Sequence, residues 1–455
     1  MQCPAKFRLS RLKERKNGNG IFKFLKQQAR CEVEKAVLKT YLYGSETMEK
    51  QQKKVGIITM HRVINYGSAL QTYATVKAVE KVGFAPSIIN YLFPSNYHLK
   101  HAAGNENVDR KSRKEQVKRI CRKMGGGEVM RFFWSLVCKN PRKKFFRAFI
   151  RKMNLTKKYT IKSILKNPPV FDIYLTGSDQ TWNPRYLGHD YSFLLNWVPD
   201  YAPKISYAAS FGRKTLPAEF YEPYKRYLGR YDRISVRESS GVKLVKELCG
   251  RDAVHVLDPT LLLNGEDWKK LIVDIPELPD HFIFCYCLNY VFNPSPDIFT
   301  LLEHLRVLLN CEVLFFSEAV SLKDAAAKAG YKNVLPLSPE EFVTYYAKAG
   351  FIVSTSFHGA AFAVNLNKNF YIQLNPNPSQ DDRVINFLEE IEMSDRGLNL
   401  REIDVNKITT RDLNIDYGAG NLALEKMRKS SLDYLREALV FAGQEKKYKG
   451  IEVLK

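Results

Sequence analysis

Short apolar runs alternate with helix-compatible segments along most of the chain after residue 53. The runs have four to seven residues and many β-branched side chains, which is typical of strands buried on both faces of a parallel sheet. They lie at 55–59, 86–91, 171–176, 204–210, 232–236, 253–257, 282–286, 312–316, 351–354 and 369–373. Helices are predicted between them, beginning with 69–82. The pattern indicates an α/β fold with parallel sheets.

The runs form two series, which predict two Rossmann-like domains facing a cleft. The first series lies within residues 53–265 and the second within 281–410, and Pro276 and Pro279 mark a linker between them. Two such domains around a cleft are the architecture of GT-B glycosyltransferases. A helical pattern over 420–445 follows the second series, and we expect this helix to pack back on the first domain.

Two further segments fall outside this alternation. Residues 1–52 are polar and basic, and we treat them as an N-terminal appendage. Residues 100–165 predict a basic helical insert in the first domain, because 110–158 carry 18 Lys and Arg against two acidic residues, with aromatics between them. Such a face suits an anionic membrane surface or an anionic polymer. Alternatively, it is a solvated helical face whose aromatics pack on the body of the protein.

Composition and cysteine usage narrow the class of protein. The chain has 455 residues, a formal net charge of +23 and 45% hydrophobic residues, enough to bury more than one core. No apolar run approaches the ~20 residues that cross a bilayer, and the start lacks the apolar core of a secretory signal. The eight cysteines follow no disulfide or zinc pattern, and we interpret Cys285 and Cys287 as core residues. We expect a cytoplasmic protein, with peripheral contact to the inner face of the membrane and no metal.

The junction at 351–363 is the strongest candidate for chemistry. Its strand pattern breaks at a Ser/Thr turn into a helix rich in small residues, and His358 stands at that junction. Ligands of open α/β sheets bind where strands end, and backbone N–H groups at a helix start favour phosphate or carboxylate. Ser356 and the N–H groups of Gly359 and Ala360 can donate hydrogen bonds there. The simpler interpretation is a histidine that only completes the turn.

Six short segments resemble the successive signatures of the polysaccharide pyruvyl transferase family, in the same order and with similar spacing. The segments are His61–Gln71, Gly177–Asn183, Ser206–Gly212, Ser235–Glu238, Leu257–Thr260 and Ser356–Gly359. The resemblance extends from about residue 54 to 395. It implies the same GT-B-like pair of Rossmann-like domains.

The resemblance also implies a transferase that moves pyruvate from phosphoenolpyruvate onto a sugar as a ketal. The sugar would belong to a surface polysaccharide or its lipid-linked precursor, and the reaction needs no metal or redox cofactor. A functional histidine of the family maps onto His358, which we predict to be the acid–base catalyst because imidazole titrates near neutral pH. Well-known members carry arginine two residues before that histidine, but Ser356 stands here. Another arginine is therefore expected to supply positive charge.

Two arginines are candidates for that charge. Arg237 follows a strand pattern, and the resemblance assigns an arginine here to the donor site. Its planar guanidinium suits phosphate or carboxylate, although a salt bridge with Glu238 or another acid is the alternative. Arg383 opens a later helix and resembles an arginine in a Ser-Arg segment of the family. We predict that both arginines bind substrate.

The other predicted site residues belong to the first domain. Asp179 follows a strand, and the resemblance places an acceptor-site aspartate in this region. Its carboxylate can accept a proton from a sugar hydroxyl, or it can cap a short helix. Trp182 is predicted to stack on the acceptor, and the turn at Asn65 and Gly67 to line the cleft. Asp258 is interpreted as the structural end of the first domain, with no chemistry assigned to it.

Two other functions remain open at this point. A nucleotide-sugar glycosyltransferase of the same fold would need a carboxylate in the second domain to hold ribose hydroxyls, and Glu389 and Glu390 are available. A nucleic-acid-binding protein would use residues 110–158, with a catalytically silent α/β body. We do not expect nucleic acid as a partner; we expect phosphoenolpyruvate and a glycan or lipid-linked oligosaccharide. The oligomeric state is left undefined by the sequence.

Overall fold

The computed structural model describes residues 52–92, 141–289, 291–334, 336–377 and 383–449. The predicted appendage, apart from its last residue, and residues 100–140 of the basic insert lie outside this part of the chain. Both sheets described below belong to one compact unit that begins at Lys53.

The first half is built on a parallel sheet of four strands in the spatial order β2-β1-β5-β6. Two short parallel pairs, β3 with β4 and β7 with β8, complete its strands. The bounds are β1 Lys54–Ile58, β2 Ala85–Ile88, β3 Tyr91–Leu92, β4 Tyr159–Thr160, β5 Ile173–Thr176, β6 Lys204–Ser206, β7 Ser235–Val236 and β8 Val254–His255. β5 and β6 are buried along their whole length, and β5, with the sequence Ile-Tyr-Leu-Thr, has the largely apolar composition of such a strand.

The second half contains a six-stranded parallel sheet in the order β11-β10-β9-β12-β13-β14. Its strands are β9 Phe282–Cys287, β10 Glu312–Ser317, β11 Lys332–Asn333, β12 Phe351–Ser354, β13 Asn369–Gln373 and β14 Gly397–Leu398. Numbered within this half, the order is that of the dinucleotide-binding Rossmann sheet. The protein therefore has the predicted α/β architecture of two Rossmann-like domains, as in GT-B enzymes.

Helices connect the strands in both halves and cover the sheets. The α-helices are α1 Tyr66–Lys81, α2 Pro141–Arg151, α3 Ile161–Lys166, α4 Pro184–Leu187, α5 Tyr221–Leu228, α6 Ser239–Cys249, α7 Gly265–Lys269, α8 Asp297–Leu309, α9 Val320–Lys328, α10 Pro339–Lys348, α11 Phe357–Asn365, α12 Arg383–Glu390 and α13 Gly418–Lys449. Short 3-10 helices lie at Tyr191–Leu194, Ala218–Phe220, Pro259–Leu261, Ser394–Arg396, Val405–Lys407 and Thr410–Leu413. None of the described helices combines the length and the apolarity that a membrane span requires.

Helix α13 returns from the second half to the first. The hydroxyl of Ser431 accepts a hydrogen bond from the backbone N–H of Leu257 at 3.0 Å. Arg428 binds both halves, since its Nε donates to the carbonyl of Leu261 at 2.7 Å and its Nη2 to the side-chain oxygen of Asn365 at 3.0 Å. The helix therefore contacts residues of both halves.

Helix α2 lies in the basic insert, and its aromatic face packs on the body of the protein. Phe146 and Phe149 are 4% and 2% exposed and belong to the core cluster that both halves share. Lys143, Lys144 and Arg147 point outward and are exposed. These two rings therefore pack on the body, as the alternative expects, and cannot anchor a membrane, whereas a membrane contact of the exposed cations stays a prediction.

Candidate functional site

The carboxyl ends of strands from both sheets meet at a cleft of about 650 Å³. Residues that follow β1, β5, β9, β10 and β12 line it. β1 lies between β2 and β5, and β9 lies between β10 and β12, so each sheet contributes the point where its strand order reverses. Ligands of doubly wound α/β proteins bind at such switch points. The predicted site residues that line this cleft are Asn65, Asp179, Ser356, His358 and Arg383.

The start of α11 brings Ser356 and His358 to the cleft. Ser356 is the N-cap residue, but its side chain makes no capping hydrogen bond. Its own backbone N–H donates to Oγ of Ser354 at 3.2 Å, and its carbonyl accepts from the N–H of Ala360. The first turn of α11 thus begins without a side-chain cap, and such a helix start carries partial positive charge.

Gly67 lies against this helix start and Gly359 lies within it, and neither residue belongs to the cleft lining. A Cβ atom on Gly67 would lie 2.1 Å from Nδ1 of His358, so glycine is required for the close approach of α1 to the imidazole. A Cβ on Gly359 would lie 2.2 Å from Oγ of Ser354, which shows that α11 packs tightly on the end of β12. The predicted cleft-lining role of Gly67 is therefore corrected to one of packing against His358.

Asp179 follows β5 and reaches the cleft through a turn in the left-handed region, with φ of 70°. Aspartate tolerates this conformation better than most residues. One carboxylate oxygen accepts a hydrogen bond from Oγ of Ser68 at 2.5 Å, and the other accepts from the backbone N–H of Gln180 at 2.9 Å. Asn183, not Asp179, caps the next helix, α4. Asp179 is thus available as a hydrogen-bonded carboxylate in the cleft wall.

Arg237 lies behind the cleft wall, where three carboxylates surround it. Its Nη1 is 3.0 Å from Asp258 and 3.8 Å from Asp179, and its Nε is 3.1 Å from Glu238. Burial would lower the pKa of this guanidinium, but the three acids together raise it. Its Nη2 is buried without a hydrogen-bond partner among the described residues. The salt-bridge interpretation describes this geometry, and a contact of Arg237 with substrate stays a prediction.

A second, smaller cavity of about 30 Å³ adjoins the cleft at Phe357 and Arg383, which line both spaces. Arg237 also lines this cavity, and the positive charge of Arg383 acts on it to lower its pKa. On the far wall, Nδ1 of His255 lies 3.4 Å from a carboxylate oxygen of Glu390. Arg383 therefore occupies the junction between the open cleft and the buried charged cluster.

Asp258 is the residue that sequence reasoning missed. It was interpreted as a structural terminus, yet it lies fully buried between Arg237 and His358. Burial would raise its pKa, but interactions with His358 and Arg237 outweigh burial and hold the pKa well below its usual range. The signal was available, because Asp258 lies within one of the six segments that carry the family resemblance.

Trp182 does not line the cleft, contrary to prediction. Its side chain is fully buried, and its ring packs on Phe211 and Tyr231 at centroid distances of 5.3 and 5.7 Å. After the turn at Asp179, the chain directs this ring into the core of the first half, so it cannot stack on a ligand. Tyr186, four residues later, is an aromatic residue that does line the first-half wall.

Metal binding has no candidate in the part of the chain that the structure describes. No cluster of three or more His, Cys, Asp or Glu side chains there has the arrangement of a metal site. Cys285 and Cys287 are buried in β9 with free thiols, and burial raises the pKa of Cys285 well above its ordinary value. These thiols pack in the core.

A sequence model of one family, described as polysaccharide pyruvyl transferase, matches residues 65–372. No curated protein sequence matches the chain. Similar solved structures include a UDP-N-acetylglucosamine 2-epimerase from Listeria monocytogenes, at 11% identity and TM-score 0.42, covering 84% of this chain and 98% of that one. Another is S. aureus MnaA with UDP, at 12% identity and TM-score 0.40, covering 83% and 97%. A third is the glycosyltransferase of kitacinnamycin, at 11% identity and TM-score 0.37, covering 88% and 98%.

Proposed function

This chain belongs to the polysaccharide pyruvyl transferase family, and we propose that it transfers pyruvate from phosphoenolpyruvate to two hydroxyls of a sugar, as a ketal. One observation carries the proposal. His358 from the second half and Asp179 from the first half line one cleft whose volume is typical of small-molecule sites. An imidazole and a carboxylate on opposite walls suit a reaction that protonates one substrate and deprotonates the other.

The proposed reaction balances with these two groups. A proton goes from the imidazolium of His358 to the methylene carbon of phosphoenolpyruvate, and the neighbouring carbon becomes a cation. A sugar hydroxyl attacks this carbon while Asp179 accepts the hydroxyl proton. Phosphate then leaves, because the bond between this carbon and the bridging oxygen of the phosphate breaks. A second hydroxyl then closes the ketal. Two hydroxyl protons are released in total, and one ends in the new methyl group and one on phosphate.

The donor would bind at the second-half wall. Phosphoenolpyruvate carries a phosphate and a carboxylate, and Arg383 together with the uncapped first turn of α11 supplies positive charge there. Ser356 adds one hydroxyl donor. The charge of Arg237 is already compensated by three carboxylates, which leaves only its Nη2 edge for a ligand.

The acceptor would bind against the first-half wall. Family membership implies a glycan acceptor. The hydrogen bond from Ser68 holds the carboxylate of Asp179 in place, and Asn65 and Tyr186 lie along the same wall. We propose that Tyr186 takes the sugar-facing role first assigned to Trp182.

A lipid-linked acceptor would explain the position of α2. Arg142 of this helix donates to the carbonyl of Ile64 at 2.9 Å and pairs with Glu318, and both of these residues line the cleft. The helix that carries the exposed cations therefore borders the cleft through Arg142. We propose that they contact an anionic membrane on which the acceptor is carried.

The function is tested with phosphoenolpyruvate labelled with ¹³C at C2, in D₂O, with methyl glycosides of galactose, glucose and mannose as acceptors. We expect acceptor-dependent phosphate release, a ¹³C ketal carbon and a CH₂D methyl group, because the new proton comes from solvent. Calorimetric titration with phosphoenolpyruvate gives a readout that needs no acceptor. Release of UDP from a nucleotide sugar, with no binding of phosphoenolpyruvate, would instead establish the glycosyltransferase alternative.

A further inference from the structure

His358 carries a buried ring nitrogen without a hydrogen-bond partner among the described residues. This atom is Nε2, and Oδ2 of Asp258 lies 3.8 Å from it. That distance is longer than a hydrogen bond, although a shift of about 1 Å would close it. Buried polar atoms in native proteins are nearly always paired, so an unpaired atom requires an explanation. The adjacent carboxylate suggests one.

The carboxylate of Asp258 is held as a permanent acceptor. Its Oδ1 accepts from the backbone N–H and the hydroxyl of Thr260, at 2.9 and 2.8 Å. Its Oδ2 accepts from Ser178 at 3.2 Å and from Arg237 at 3.0 Å. Oδ2 is also the oxygen that faces His358. A carboxylate that accepts this many hydrogen bonds stays ionised. It can therefore act only as an acceptor, and in a hydrogen bond with His358 the donor must be Nε2–H.

The contact joins the two halves of the molecule. Asp258 follows β8 in the first half, whereas His358 lies in the first turn of α11 in the second half. On its other edge the imidazole abuts Gly67, again from the first half. Both ring nitrogens thus face first-half residues although the backbone of His358 belongs to the second half.

We propose that Asp258 is a positioning residue for His358, whose Nε2–H donates to the Asp258 carboxylate, so that the ring orientation and the tautomer are fixed. The other ring nitrogen, Nδ1, lies against the backbone of Gly67 at the start of α1. The acid–base role of His358 rests on the proposed function, whereas the proposed Nε2–H tautomer does not depend on that function. Because the two partners lie on opposite halves, the pair is complete only when the halves are correctly closed.

Asp258 also pairs with Arg237, so a purely structural role through that arginine must be separated from the proposed one. Glu238 offers the matched control. It accepts from the same guanidinium at 3.1 Å and from Ser210 at 2.7 Å. Glu238→Gln removes a carboxylate from Arg237 and leaves the contact of Asp258 with His358 in place.

The first measurement is the ¹⁵N spectrum of the histidine rings in the full-length protein without substrate, with His358→Ala assigning the His358 signals. We expect neutral His358 to carry its proton on Nε2 in the wild type and in Glu238→Gln, and to lose this single-tautomer signature in Asp258→Asn. A wild-type ring protonated on Nδ1 would overturn the proposal, as would an unchanged spectrum in folded Asp258→Asn. The wild-type spectrum decides the matter even if Asp258→Asn does not fold.

The second measurement is a double-mutant cycle in pyruvyl transfer. Neutralising a buried carboxylate that fixes a histidine tautomer costs up to about 10⁴-fold in kcat. We expect Asp258→Asn to lower kcat by at least about 10²-fold with little change in donor KM, and to add less than about threefold to the loss in His358→Ala. Multiplied losses in the double variant would assign Asp258 to structure alone. If no transfer is found for any variant while the Nε2–H tautomer is observed, the proposed function fails and this inference stands.

Discussion

Helices α1 and α11 begin on opposite walls of the same cleft, and they begin differently. α1 follows β1, the first strand of its sheet, and α11 follows β12, which lies beside β9, the first strand of the other sheet. The start of α1 is capped by a side chain, since Oδ1 of Asn65 accepts a hydrogen bond from the backbone N–H of Ser68 at 3.2 Å. At α11 the side chain of Ser356 makes no such bond. One helix start is thus satisfied within the protein, and the other keeps donors available for a ligand.

The charged residues on the two walls differ as well. The first-half wall presents the carboxylate of Asp179 and the guanidinium of Arg185. The second-half wall presents His358, Arg383 and the carboxylate of Glu318, which pairs with Arg142 of α2. We propose that the uncapped helix start, with Arg383 on the same wall, receives an anion and that Asp179 faces a neutral hydroxyl compound.

His358→Ala is expected to produce the largest effect, because it removes the reactive group from the uncapped helix start. Loss of general acid–base catalysis costs about 10²- to 10⁴-fold in rate. The measurement is acceptor-dependent phosphate release, with thermal unfolding to verify the fold. Activity within a few-fold of wild type would exclude His358 from the mechanism and remove the functional difference between the two helix starts.

Gly67→Ala tests the contact between the two helix starts. Alanine is favoured over glycine in a helix by about 1 kcal/mol, but its Cβ would lie 2.1 Å from Nδ1 of His358. We therefore expect kcat to fall by roughly tenfold or more, since catalysis depends on positioning within fractions of an ångström. Gly350→Ala is the control, because its Cβ would meet only a carbonyl oxygen at 3.7 Å. Equal activity of the two variants would contradict the prediction.

A pair of cap variants sharpens the comparison directly. Asn65→Ala should lower the free energy of unfolding by about 1 kcal/mol, the usual cost of losing an N-cap. Ser356→Ala should change stability by less than half of that, since Ser356 makes no capping bond, but should weaken binding of phosphoenolpyruvate several-fold. Urea unfolding and calorimetric titration measure the two quantities. Equal stability losses would show that both helix starts are capped in solution.

Removing surface charge from α2 should have the smallest effect on chemistry. We expect the combined substitution Lys143→Gln, Lys144→Gln and Arg147→Gln to weaken sedimentation with anionic liposomes, at about 1 kcal/mol per cation and less at high salt. Turnover of a short soluble acceptor should remain unchanged. No liposome binding by the wild type at low salt would exclude the membrane contact, and tight salt-sensitive binding of nucleic acid would favour the nucleic-acid alternative.

The strands that sequence reasoning located best are those buried on both faces. The predicted runs 351–354 and 369–373 coincide with β12 and β13. Within the predicted run 204–210 the strand ends already at Ser206, and β7 and β8, which were predicted as five-residue runs, have only two residues each. Val254 in β8 is 47% exposed. Apolar composition alone does not show where a chain leaves its hydrogen-bonded neighbour, so these ends could not be predicted.

Site residues could also be located best where the ends of strands determine their position. His358, Ser356 and Asp179 were predicted because they directly follow strands, and residues in such positions reach the cleft by topology. The prediction for Trp182 was wrong because the side chain of an aromatic residue near a turn can point either into the cleft or into the core, and here it packs in the core. The family segment that contains Asp258 could have marked this residue as a candidate, but its partners lie 21 and 100 residues away along the chain, and no local pattern reveals these contacts.

The packing of α2 bears on what can be deleted from this protein. Phe146 and Phe149 fill the core that both halves share, so this helix cannot be removed without exposing that core. Deleting Pro141–Arg151 would leave a hole between the halves. Variation in the length of the insert is therefore expected to leave Pro141–Arg151 intact.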